Sequence, residues 1–229
     1  MPPADAAQHR HPLEFRDGHL FLELDGRRWL VDTGAPSSFG SGAAPTLSGR
    51  TFDIGASYAG LDADRLSQHV GVECAGLLGA DILGQLDLIL DRPASTAVAS
   101  LGELTQAGTT VVLETFMGIP VIKAVIRGTE CRVFFDTGAQ VSYLRADQLA
   151  GFPDAGPLRD FYPGFGEFEM ETRTVECVIA GVSYRLRCGQ LPPLLAASLG
   201  LAGTAGIIGN ELLHGRVVGY FPRRGMLVI

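Results

Sequence analysis

A single lysine, Lys123, stands in 229 residues, and all 18 lysines and arginines face 25 acidic residues, which leaves a formal charge of -7. No segment gathers the cations into a basic stripe, so nucleic acid, which is bound by neutralising phosphates, is excluded as a partner. Apolar stretches such as Gly76 to Leu90 are interrupted, here by Asp81, Gln85 and Asp87, well before the roughly 20 apolar residues a spanning helix needs. No membrane partner is expected. Cys74, Cys131, Cys177 and Cys188 form no C-x-x-C pair and the five histidines form no cluster, so neither a metal site nor a cofactor is expected. Free thiols and an N-terminal segment, Met1 to Pro12, without an apolar core point to a cytoplasmic protein with a loose tail.

Glycine (30) and apolar residues (46%) are plentiful, so the chain has material for a core and for many reversals. That combination favours numerous short strands over long helices, in one large domain or two small ones. A repeat then decides the organisation. Trp29-Leu30-Val31-Asp32-Thr33-Gly34-Ala35 returns as Val133-Phe134-Phe135-Asp136-Thr137-Gly138-Ala139, 104 residues later. Ala75-Gly76-Leu77-Leu78-Gly79 returns as Ala205-Gly206-Ile207-Ile208-Gly209, 130 residues later. A hairpin pattern precedes each aspartate, with a turn at Asp25-Gly26 in the first copy and near Gly128 in the second. A short helical stretch and a strand, Pro-containing turn and strand follow each second motif. The expected organisation is a tail over 1–12, an N-terminal lobe over 13–101, a linker over 102–108 and a C-terminal lobe over 109–229.

The second lobe is longer by 26 residues between its two motifs. There, Asp160 to Phe168 places a glycine-rich tip between extended runs, and Thr174 to Leu186 adds another hairpin around Ala180-Gly181. A projecting hairpin is expected from the C-terminal lobe alone, with Tyr58 the weaker candidate for a covering residue from the other.

A carboxylate at the end of a buried strand is costly unless it is paired or used. If the two copies pack about a pseudo-twofold axis, Asp32 and Asp136 meet there and share one proton, because two adjacent carboxylates cannot both ionise. Such a pair is acid and base together. Gly34 and Gly138 permit a tight turn that brings a backbone N–H to the carboxylate, and the Thr33 and Thr137 hydroxyls are placed to bond across the axis.

On these motifs, D-T-G-A at 32–35 and 136–139, the apolar-apolar-Gly at 77–79 and 207–209, and Gly-Phe-Gly at 164–166, the sequence resembles the aspartic peptidases, specifically the retropepsin-like group. Two copies are fused in one chain. The resemblance implies an all-β, bilobal acid-protease fold of two β-barrel lobes with short helices, and hydrolysis of an extended peptide or protein substrate by a water activated by Asp32 and Asp136. It implies dyad support from Thr33, Gly34, Ala35, Thr137, Gly138 and Ala139, and a flap contributed by Tyr162, Gly164, Phe165 and Gly166. Pepsin-like relatives carry a hydroxyl residue after the D-T-G, where this chain has Ala35 and Ala139, so activity is expected from mildly acidic to near neutral pH. A monomer is expected, its terminal sheet built from Leu13 to Phe15, Thr96 to Ala99, Thr110 to Leu113 and Met226 to Ile229. The alternative is a peptide-binding module of the same fold with little or no turnover.

Overall fold

A computed structural model describes residues 8–162 and 166–229. Each aspartate follows a strand ending in three apolar residues, because that strand has neighbours on both edges and is covered on both faces. In the first half, Arg27–Val31 pairs antiparallel with His19–Leu24 and parallel with Gly76–Leu78. In the second, Thr129–Phe135 pairs antiparallel with Ile119–Ile126 and parallel with Gly206–Ile208. Side-chain alternation separates two environments. Trp29, Val31, Val133 and Phe135 enter one core shared by both halves, together with Leu78, Ile82, Ile208 and Leu212. Leu30 and Phe134 turn the other way, each into a smaller cluster of its own half. Asp32 and Asp136, two positions on, keep that second parity.

Six antiparallel strands join the halves. Asp87–Asp91 lies against Val217–Phe221, with Leu88 opposite Tyr220, Ile89 opposite Gly219 and Leu90 opposite Val218. At the repeat offset of 130 residues, Leu88 corresponds to Val218, Ile89 to Gly219 and Leu90 to Tyr220, so this ladder maps onto itself. An approximate twofold relation passes between Ile89 and Gly219. Thr96–Ser100 and then His9–Arg16 extend the sheet on one side, and Met226–Val228 and then Thr110–Val112 on the other.

Two expected boundaries are corrected. The first strand begins at His9, with His9 to Pro12 paired to Ala99 to Thr96, so the loose tail cannot extend to residue 12. Pairing there satisfies backbone groups along the edge of Thr96–Ser100. The segment 102–108 is no free linker. Asp87 is fully buried and must be compensated, which Arg223 (2.9 Å), Arg224 (2.5 Å) and the Leu104 N–H (2.9 Å) together accomplish. Leu104 itself is buried against Phe221 and Val228.

The extra length of the second half forms a long hairpin of Asp154–Tyr162 and Gly166–Ile179, and the latter strand continues into a second hairpin with Val182–Gly189. Its two-residue turn, Ala180 (φ 47°) and Gly181 (φ 82°), is left-handed at both positions, as a tight hairpin requires. The first half has only Ser57–Tyr58 against Leu61–Asp62 at the matching place. Helices are few and short, the longest described being Pro193–Leu201 with nine residues, so the architecture is all-β. Among the described residues, no helix is long and apolar enough to cross a membrane.

Candidate active site

The two D-T-G-A segments leave their strands in the same way. The Asp32 N–H donates to the Leu78 carbonyl (3.0 Å) and the Asp136 N–H to the Ile208 carbonyl (2.9 Å), the last rungs of the parallel ladders. The chain then folds back on its own carboxylate. Gly34 and Ala35 N–H each donate to Asp32 Oδ1 at 2.9 Å, and Gly138 (2.9 Å) and Ala139 (3.2 Å) do the same for Asp136 Oδ1. Each turn fixes one oxygen and leaves Oδ2 for the opposite half, where the carboxyls are in hydrogen-bonding contact. Burial raises both pKa values, that of Asp32 well above the ordinary carboxylate range, and the charge of Asp136 raises Asp32 further while the turn N–H groups oppose the shift. Two carboxyls in such contact do not ionise independently, and the arrangement suits one proton shared between them.

The threonines lie one position on and are fully buried. Thr33 Oγ1 donates to the Phe135 carbonyl (2.7 Å) and accepts from the Thr137 N–H (3.0 Å). Thr137 Oγ1 donates to the Val31 carbonyl (2.7 Å) and accepts from the Thr33 N–H (3.0 Å). Four reciprocal bonds clamp the loops across the axis. Thr33→Val keeps the shape but strands a buried N–H and a buried C=O, so a loss of about 2–4 kcal/mol in chemical denaturation is expected. A loss below ~0.5 kcal/mol would mean that the clamp adds nothing to the joining of the halves.

Two supporting serines escaped the sequence reading. Ser38 Oγ accepts from Gly79 N–H (2.8 Å) and Ser142 Oγ from Gly209 N–H (3.1 Å), tying each D-T-G-A turn to its partner motif. The available signal was a serine six residues after each aspartate. Beneath them the copies diverge. Asp81 accepts from Ser38, whereas its repeat counterpart Glu211 accepts from the Arg187 N–H (2.9 Å) and is pushed by burial to about 7.

A cleft of about 410 Å³ lies over the carboxyls. Its walls are repeat counterparts: Leu30, Phe39 and Leu77 from the first half, Phe134, Tyr143 and Ile207 from the second. His19 also lines it, opposite its counterpart Ile119, and burial lowers the His19 pKa. The long hairpin reaches across this cleft to the helix Ala63–Val70. Its cross-strand pair Phe161 and Glu167 engages His69, with Phe161 stacked at 3.5 Å between ring centroids and Glu167 Oε1 3.8 Å from Nδ1. The neighbouring pair, Asp160 and Phe168, has the opposite parity and lines the cleft.

Tyr162 lines the cleft at 39% exposure, and burial together with the charges of Asp136 and Asp32 raises its pKa. Gly166 is paired opposite it. Gly164 and Phe165 lie outside the described residues. Among the described residues, Phe161, which sequence reasoning did not single out, makes an aromatic contact across the cleft, and Tyr58 lines the other side at 40% exposure. Among the described residues no group of three or more His, Cys, Asp or Glu is placed to hold a metal ion. The chain matches no family model and no curated protein.

Proposed function

We propose that this protein is an aspartic endopeptidase, two retropepsin-like lobes in one chain, with the long hairpin as its single large flap. The observation that carries the reading is the contact between two half-buried carboxyls, each held by its own D-T-G-A turn, on the floor of an apolar cleft. A structural carboxylate would be paired with a cation, as Asp87 is; these two face each other instead. In the reaction, the ionised oxygen takes a proton from water while the protonated carboxyl hydrogen-bonds the substrate carbonyl. Water oxygen bonds to the carbonyl carbon as the protonated carboxyl passes its proton to the carbonyl oxygen, giving a tetrahedral diol. The proton taken from water then passes to the leaving amine as the C–N bond breaks, a diol hydroxyl returns its proton to the other carboxyl, and the dyad regains its starting state with one proton. The apolar walls exclude bulk water and strengthen these interactions. Four free thiols support a cytoplasmic setting, and a joining sheet whose strands all come from one chain supports a monomer.

Cleavage of a diverse peptide library across pH, with a statine-type mimic as inhibitor, tests this reading. The profile is expected to be bell-shaped: the base is lost when both carboxyls are protonated at low pH, and the acid is lost when both ionise at high pH. Because burial raises both pKa values, the optimum should lie between mildly acidic and neutral pH. An optimum near pH ~2 would contradict a dyad of this kind, and no cleavage at any pH would favour a binding module.

A further inference from the structure

Resting on the endopeptidase reading, we propose that Asp160 makes the second-half side of the cleft a subsite for a basic side chain, while the first-half side takes an apolar one. The two walls differ at one pair of repeat counterparts. Phe39 closes the first pocket with a bare ring, and Tyr143 carries a hydroxyl at the same place in the second. That hydroxyl donates to Asp160 Oδ2, and the Phe161 N–H donates to Oδ1 (2.8 Å). The first half has no acid at the corresponding place: its pocket is completed by Leu61, Leu66 and Val70.

A carboxylate offers about four acceptor positions. These two bonds and the Gln140 amide leave acceptor capacity unused, in a side chain that lines the cavity. Asp160 lines the same cleft as Asp32 and Asp136. Among the described residues it has no cationic partner; the adjacent Arg159 pairs with Glu169 on the exposed face. A brace for the flap would need only a neutral acceptor for the tyrosine hydroxyl. A half-buried anion in the same cleft as the dyad is costly until a cation arrives, and a lysine or arginine supplies one while laying its methylene stem along Phe134 and Ile207.

The test uses peptides that differ only by lysine or norleucine at one position flanking the scissile bond, on each side in turn, with matching statine-containing analogues for binding. Wild type should favour lysine by about 10–100-fold in kcat/KM at one of the two positions. Asp160→Asn, which still accepts from Tyr143, should abolish that preference, its loss on lysine substrates exceeding its loss on norleucine substrates by the same factor of about 10–100. Tyr143→Phe, which removes the brace and keeps the charge, should retain the preference. Cleavage by wild type without a lysine preference overturns the proposal and leaves the endopeptidase standing, as does an equal loss on both substrates in Asp160→Asn or loss of the preference in Tyr143→Phe. Tighter calorimetric binding of the lysine analogue without cleavage overturns the endopeptidase and leaves the subsite standing. If neither analogue binds, both fall.

Discussion

Asp32→Asn is expected to leave a folded protein whose turnover falls at least about a thousandfold, since general acid and base are removed in one substitution. The asparagine oxygen can still accept from Gly34 and Ala35 N–H, so the turn persists, but the pair no longer holds an exchangeable proton beside an ionised oxygen. Asp136→Asn should do the same through Gly138 and Ala139, and the double variant should be no slower than either single one, because the two act as a unit. Stability should move the opposite way. Both folded-state pKa values lie above their unfolded values, so the dyad's favourable contribution is complete below the unfolded carboxylate pKa and is lost as pH rises through the folded values. At neutral pH, Asp32→Asn removes that cost and should melt no lower than wild type, and its melting temperature should vary less with pH. A variant that melts well below wild type would show that the carboxylate is structural. A variant that still cleaves within tenfold of wild type would place the chemistry elsewhere.

The central elements were legible because the chain states them twice. A strand of three apolar residues, D-T-G-A and a later apolar-apolar-Gly, repeated in order, are enough to bring Asp32 to Asp136 and Thr33 to Thr137, since a twofold arrangement leaves them little choice. What diverges between the copies was harder to read. The helix Ala63–Val70 had ordinary boundary signals, Asp62 accepting from Arg65 N–H and Gly71 at φ 69°, but no motif drew attention to it, and with it His69 was missed. Phe161 and Asp160 lie in a run where aromatics, acids and glycines all suit a hairpin. Only the register, Phe161 opposite Glu167 and Asp160 opposite Phe168, decides which face reaches the neighbouring half, and a one-residue slip would exchange them. The pairing of Asp87 with Arg223 and Arg224 spans more than 130 residues, beyond any local pattern. The apparent linker looked polar and loose for the same reason: its anchor lies at the other end of the chain.

Gly34→Ala is expected to cost at least about a hundredfold in kcat while leaving the protein folded, and the cause is space rather than backbone freedom. A Cβ at Gly34 would lie 2.2 Å from Asp136 Oδ2, and one at Gly138 would lie 2.3 Å from Asp32 Cγ, far inside van der Waals contact. The sequence suggests that each glycine serves the carboxylate two residues before it. In the structure its N–H does so, but its Cα faces the carboxylate of the opposite half. The glycines therefore set how closely the two carboxyls approach, and a methyl group between them must push one away. Relief by backbone movement is restricted, because each turn is held by two N–H bonds to its own aspartate and by the threonine clamp. Separating the carboxyls breaks the contact through which one proton serves both, and a displacement of about 1 Å at reacting groups costs about a hundredfold. The pH profile should change with it. Less mutual repulsion brings the two macroscopic pKa values together, so the bell should narrow as its height falls. Gly138→Ala should reproduce both effects, and normal turnover with an unchanged profile in either variant would mean that the carboxyls do not work in contact.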